Sequence, residues 1–81
     1  MNNKCPVCNY SELFDPPYNE DGYGSDEICP CCGFQFGLDD YPNKEKGIKI
    51  WRQHWIDDGC KWFSNSRLPS HNWNAKEQLN Q

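Results

Sequence analysis

A two-cysteine motif occurs twice in the first half of the chain and constrains the fold more than any other feature. Residues 5–10 read Cys-Pro-Val-Cys-Asn-Tyr, and residues 29–34 read Cys-Pro-Cys-Cys-Gly-Phe. Each copy places two sulfurs on one tight turn, and two facing turns supply the four sulfurs that a tetrahedral Zn²⁺ binds. The separation of the copies fits known two-pair zinc patterns. The sequence therefore predicts a zinc site formed by Cys5, Cys8, Cys29 and Cys32.

The residues around the cysteines support this interpretation. Asn9 and Gly33 follow the second ligand of each turn, where the backbone of a metal-binding turn tends to reach positive φ. Glycine reaches that region freely, and asparagine is among the few other residues that tolerate it. Pro6 and Pro30 fix φ near −65° at the second position of each turn.

Two cysteines lie outside the predicted ligand set. Cys31 is an alternative to Cys32 as the fourth ligand, but the resulting C-x-C spacing is tighter. Gly33 would then lie two residues after the second cysteine of its turn, whereas Asn9 lies directly after it. We interpret Cys31 as pointing away from the metal, as an apolar side chain, a sulfur near the cluster or a redox-active thiol. Cys60 is interpreted as buried, and a Cys31–Cys60 disulfide would require Cα atoms within about 7 Å.

The composition suggests that a metal is a condition of folding. The chain has 81 residues, enough for one domain, with 36% hydrophobic residues and a mean hydropathy of −1.03. Four Trp, four Tyr and four Phe supply most of the apolar surface. A structural zinc ion contributes roughly 10–16 kcal/mol in zinc-finger peptides.

Charge and hydropathy restrict the expected location and partners. The chain shows no apolar signal-peptide core and no run of 18 apolar residues, so we expect a cytoplasmic protein without a membrane span. In that compartment cysteines serve as metal ligands more often than as disulfides. The formal charge is −4, and about −6 with four thiolates and one Zn²⁺. Nucleic-acid binding is disfavoured, because proteins that neutralise phosphates are normally basic.

The chain divides into a metal-binding part and a helical part of one domain. Residues 1–40 are predicted to form a ribbon, with a short hairpin from residues 12–14 and 34–36 in which Phe34 and Phe36 share a buried side. Residues 43–80 are predicted to be helical and to pack on it. The first helix spans about 44–58, between the cap Asn43 and Gly59, and its apolar stripe recurs at intervals of three and four: Ile48, Trp51, Trp55 and Ile56.

A second, shorter helix is predicted over residues 75–80. Asn74 is its expected cap, with Glu77 three residues on as in a capping box. Trp73 and Leu79 are expected to dock it on the rest of the domain.

No pattern indicates catalysis. His54 and His71 lack the paired spacing of metal-binding histidines, and Asp39-Asp40 and Asp57-Asp58 are interpreted as solvated carboxylates. A closed four-cysteine site leaves no open position for a zinc-bound water. Iron remains an alternative to zinc, because a tetrahedral site of four sulfurs accepts either ion.

Two stretches resemble known proteins. The first stretch contains Cys5-Pro6-x-Cys8 with Tyr10 and Leu13, then Glu27-Ile28-Cys29-Pro30-x-Cys32, Phe34 and Asp39-Asp40. This stretch resembles a bacterial family of small cysteine-rich proteins called CPCC-type. The region from Trp51 to Trp73 resembles a sister group of uncharacterised proteins, and the paired turns are similar to those of rubredoxins. The resemblance implies a zinc-ribbon fold and supplies no substrate or catalytic residue.

The sequence thus predicts an α+β fold: a small zinc ribbon with rubredoxin-like turns, a short β-hairpin and a C-terminal amphipathic helix. The predicted function is a small cytosolic structural-zinc protein that binds another protein and is not an enzyme. Two alternatives stay open: a rubredoxin-like iron electron carrier, and a thiol-redox protein that uses Cys31.

Overall fold

The computed structural model describes residues 3–80 and contains two helices, α1 (Lys44–Asp57) and α2 (Ala75–Leu79). Turns and loops form the remainder, joined by isolated bridges. These bridges pair Asn3 with Glu12, Tyr18 with Gly24, and Ile28 with Gln35. Within the described residues no bridge extends into a longer strand, and no bridge joins residues 12–14 to 34–36, the two segments expected to form the hairpin. The zinc-ribbon class stays a prediction.

Helix α1 begins and ends close to the predicted residues. The Asn43 side chain accepts a hydrogen bond from the Lys46 N–H at 3.0 Å and caps the helix. Gly59 follows the C-terminus at φ +92°, where an L side chain would be strained. Trp55 is the one α1 residue that is fully buried, and Ile48 and Trp51 pack against the core beside it. The predicted helix is therefore present, whereas Ile56, expected on its apolar side, is 39% exposed.

Helix α2 is also found where the sequence places it. Its cap is Asn74, whose side-chain oxygen accepts from the Glu77 N–H at 3.1 Å. Trp73 and Leu79 are partly buried against the core. The predicted docking of this helix through those two residues is therefore confirmed.

The core lies between the cysteine turns and α1. Phe34 and Phe36 are both 0% exposed, whereas the intervening Gln35 is only half-buried, so the expected alternation is confirmed. Phe34 packs edge-on against Trp51 with ring centroids 5.5 Å apart. The other fully or nearly buried apolar residues are Cys5, Val7, Cys8, Leu13, Cys29, Cys31, Cys32 and Trp55. Half of this core is cysteine, so few aliphatic side chains stabilise it.

Neither helix is long and apolar enough to cross a membrane, and α1, the longer of the two within residues 3–80, has 14 residues.

Candidate metal centre

The two cysteine turns have the same backbone hydrogen bonds. In each turn the first cysteine donates its N–H to the carbonyl five residues on, and the residue four positions on donates back to the cysteine carbonyl. The bonds are Cys5 to Tyr10 at 2.7 Å, Asn9 to Cys5 at 2.9 Å, Cys29 to Phe34 at 2.9 Å and Gly33 to Cys29 at 2.8 Å. The sequence repeat is thus a structural repeat.

The residue after each second ligand has a positive φ, as predicted. Asn9 has φ +72° and Gly33 has φ +81°. This bend returns the chain toward the first cysteine of the turn. In the first turn the Val7 N–H also donates to the Cys5 sulfur at 3.4 Å.

The two turns bring four sulfurs into one cluster. The Sγ atoms of Cys5, Cys8, Cys29 and Cys32 all lie within 4.8 Å of one another, and all four residues are buried. The sulfur of Cys5 lies 3.8 Å from that of Cys32, and the sulfur of Cys8 lies 3.7 Å from that of Cys29. A tetrahedron with metal–sulfur bonds of about 2.3 Å has sulfur–sulfur edges of about 3.8 Å. The cluster therefore fits one tetrahedral ion.

The thiols also influence each other's ionisation. Hydrogen bonds from Cys32, then from Cys5 and Cys8, lower the pKa of Cys29. The pKa of Cys8 and that of Cys32 are raised, chiefly by their hydrogen bonds with Cys29. Cys29 thus favours the thiolate, while Cys8 and Cys32 favour the protonated thiol. A divalent cation would take the place of those protons, since thiolates are the ligand form.

Helix α1 holds both turns by their backbone carbonyls. The Arg52 guanidinium donates from Nε to the Val7 carbonyl at 2.6 Å and from Nη2 to the Pro6 carbonyl at 2.5 Å. Trp51 Nε1 donates to the Cys32 carbonyl at 2.9 Å. Consecutive residues of one helix thus bind the first and the second turn and fix their separation.

Helix α2 holds the first turn through Gln78, which is 8% exposed. Its Nε2 donates to the Cys8 carbonyl at 2.8 Å and lies 3.3 Å from the Cys31 sulfur, while its Oε1 accepts from Trp73 Nε1 at 2.8 Å. The Asn9 side chain donates in return to the carbonyl of Gln78 at 3.3 Å.

The sulfur cluster contains Cys32 and not Cys31. Cys31 is 0% exposed and lies beside the cluster, where a hydrogen bond from Cys8 chiefly lowers its pKa. Cys60 is half-buried at φ +56°. All six cysteines are among the described residues, and none is in a disulfide.

Most of the other candidate residues of the sequence are not brought together; the exception is His54 and Asp58, which line one cleft with Cys32. Asp39 accepts from the Gln35 N–H at 2.8 Å, and Asp40 accepts from the Gly37 N–H and the Tyr18 hydroxyl at 2.9 and 2.6 Å. These contacts order the loop after the second turn. Asp57 accepts from a glutamine of α1, and Asp58 caps that helix. His71 is exposed, and His54 lines a cleft that also contains Cys32.

Sequence reasoning did not identify the three side chains that hold the turns: Trp51, Arg52 and Gln78. Trp51 was interpreted only as part of the apolar stripe of the helix. Arg52 and Gln78 have no spacing relative to the cysteines that a pattern could reveal, because their partners are backbone carbonyls distant in the chain.

The fold and the cluster define a small cysteine-rich protein with a candidate four-cysteine metal site. Its sequence is similar to two proteins of Bacillus subtilis. It is 29% identical over 79 residues to uncharacterized protein YozI and 27% identical over 81 residues to uncharacterized protein YoaQ. The alignments cover 80% and 93% of this chain, but only 65% and 69% of the relatives. No protein-family profile and no solved structure matches.

Proposed function

We propose that this chain is a structural-zinc protein of the zinc-ribbon type, in which Cys5, Cys8, Cys29 and Cys32 bind one Zn²⁺ and the metal-organised surface binds another protein. The observation that supports it is the enclosed cluster of four sulfurs with cross-turn separations of 3.7 and 3.8 Å. Four protein ligands close the coordination sphere, which is typical of structural rather than catalytic zinc. The proposed protein is not an enzyme.

A groove beside the second turn supports a protein partner. It has a volume of about 280 Å³, and four of its eight lining residues are apolar: Phe14, Ile28, Pro30 and Phe63. Phe14 is 73% exposed and Phe63 is 58% exposed. Contiguous exposed apolar groups mark interaction sites more often than scattered ones do. Glu27 and Arg67 of the groove form an ion pair at 3.2 Å, so the preference for a segment that is apolar and basic comes from the charge of the whole chain, which has 12 acidic and 8 basic residues.

Metal analysis tests the first half of the proposal. The purified protein should contain one zinc per chain and be colourless, and Cys5→Ser and Cys32→Ser should each lose the ion. Cys60→Ser is the matched control and should keep it. A red protein with charge-transfer absorption would instead support the iron electron carrier, and full zinc binding by both ligand variants would refute the site.

A displayed library of random peptides tests the second half. Selected peptides should combine apolar residues with Lys or Arg and should bind Phe63→Ser several-fold more weakly than the wild type. Leu38→Ser is the control, because Leu38 is 63% exposed and does not line the groove. Selection of acidic peptides, or equal weakening by both variants, would argue against this surface.

A further inference from the structure

The sulfur cluster is less well enclosed at Cys32 than at its other three members. Cys5, Cys8 and Cys29 are each 0% exposed, whereas Cys32 is 6% exposed. A cleft of about 250 Å³ reaches this residue between the second turn and α1, lined by Cys32, Trp51, His54, Trp55 and Asp58. Water occupies roughly 30 Å³ in the liquid, so molecules the size of hydrogen peroxide fit in the cleft.

Cys32 has a sulfur of the other turn as its neighbour. Both sulfur–sulfur hydrogen bonds of the cluster cross between the turns, Cys5 to Cys32 at 3.8 Å and Cys8 to Cys29 at 3.7 Å. A disulfide requires about 2.05 Å between sulfurs, a closure of less than 2 Å from the present separation. A sulfenic acid at Cys32 would thus lie beside a thiolate able to condense with it.

We propose that Cys32 is the site at which the metal-loaded protein reacts with peroxides, and that the product is a Cys5–Cys32 disulfide joining the two turns. The inference rests on the proposed function, because metal binding keeps these sulfurs as thiolates. The Cys32 thiolate attacks one peroxide oxygen, the O–O bond breaks, and a sulfenic acid and one hydroxide form. The Cys5 thiolate then attacks the Cys32 sulfur, the S–S bond forms, and the second hydroxide leaves.

Electrons balance in this sequence. The two sulfurs lose two electrons, and the two peroxide oxygens gain them. Only Cys8 and Cys29 then remain as thiolate ligands, too few to hold the ion. Oxidation of the cluster therefore releases the metal. The peroxide reaches the cluster from the Cys32 side.

Peptide mapping after limiting hydrogen peroxide tests the product. The Cys60→Ser background removes the half-buried cysteine, and metal content is measured before oxidation. Cleavage after Glu12, Glu20 and Glu27 separates the two turns, and fragmentation of the linked peptides locates the bond. The expected first product joins Cys5 to Cys32, with zinc released in step. A first bond within one turn, or between Cys8 and Cys29, would overturn the proposal.

A pair of tryptophan substitutions on α1 tests the route. His54→Trp should fill the cleft and slow disulfide formation and zinc release several-fold. Lys49→Trp adds the same group on an exposed position outside the cleft and should leave both rates unchanged. Equal rates in all three proteins would refute entry at this cleft. A protein purified without metal would refute the proposed function instead, so the two failures are distinguishable.

Discussion

Asn9 and Gly33 occupy equivalent positions with positive φ, but different surroundings select the two residues. The Asn9 amide donates to the carbonyls of Gln78 and Leu79, at 3.3 and 3.1 Å, and so contributes to α2 docking. At Gly33 a Cβ atom would lie 2.6 Å from the Phe63 ring. The second position therefore requires glycine for space as well as for its backbone conformation.

Gly33→Ala should destabilise the protein more than Gly59→Ala does. Both glycines have positive φ, +81° and +92°, but apart from its chain neighbours no residue lies within 4 Å of a Cβ built at Gly59. The left-handed backbone costs about 1–2 kcal/mol in either variant, and displacement of Phe63 should add about 1 kcal/mol or more at Gly33. Urea unfolding of the metal-loaded proteins measures the difference. Equal losses would show that Phe63 moves aside freely.

Tyr18 should make stability fall at alkaline pH. Burial, followed by the hydrogen bond to Asp40, raises the pKa of Tyr18 above its ordinary value of 10.0. The folded state therefore favours the neutral hydroxyl, so the stabilisation is complete below pH 10 and is lost as the pH rises through the folded-state pKa.

Tyr18→Phe should reduce this pH dependence, measured as the free energy of unfolding from neutral pH to above pH 10, together with phenolate absorbance. A part of it should remain, because burial also raises the pKa of Tyr10. Tyr23→Phe is the control, since Tyr23 is 72% exposed, and it should keep the wild-type profile. A Tyr18→Phe profile that coincides with the wild type throughout would contradict the prediction.

The helices act as braces on the two cysteine turns. Helix α1 uses Trp51 and Arg52 to hold one carbonyl of the second turn and two of the first, and α2 uses Gln78 to hold another of the first. Buried carbonyls that lose their donors are costly. The helices therefore contribute hydrogen bonds to the turns in addition to apolar surface.

Arg52→Lys should cost about 1–3 kcal/mol despite conserving the charge, because one ammonium group cannot reproduce the two-nitrogen contact of a guanidinium. Lys49→Ala, at an exposed position of the same helix, is the control and should change stability by about 0.5 kcal/mol or less. Thermal unfolding of metal-loaded protein measures both. Similar small effects would mean that the contacts to Pro6 and Val7 contribute little.

At the scale of the whole molecule, the cysteines link regions that are far apart in the chain. Among residues 3–80, ten form the buried apolar core, and five of these are cysteines. Aromatic pairs extend this core on both sides, Tyr18 with Phe36 near one turn and Tyr10 with Trp62 near the other. Such a core buries little aliphatic surface, so a bound metal is expected to supply much of its cohesion.

Removal of the metal should therefore unfold the domain. A strong chelator should abolish the near-ultraviolet circular dichroism of the packed tryptophans, and added Zn²⁺ should restore it. Acidification should have the same effect, because protonation of the ligand thiolates competes with the ion and stability is lost as the pH falls. Cys60→Ser should unfold at the same chelator concentration as the wild type. A folded, chelator-indifferent protein would contradict this account.

The sequence by itself determined the features that depend on local chemistry. The repeat of the cysteine motif led to two turns with the same hydrogen bonds, Asn43 and Asn74 capped their helices, and Phe34 and Phe36 faced one side. Each of these follows from residues a few positions apart, whose conformations restrict one another directly. The pairing of residues 12–14 with 34–36 was predicted less well, because a short strand depends on a partner that is distant in the chain.

Only the tertiary structure decided which groups from distant parts of the chain meet. It brought the two cysteine turns face to face, and it brought Arg52 and Gln78 onto backbone carbonyls of the first turn. Backbone carbonyls are present at every residue, so the sequence carries no mark of the one that a distant donor will select. The packing of the two helices makes that selection, because it fixes where each donor lies in space.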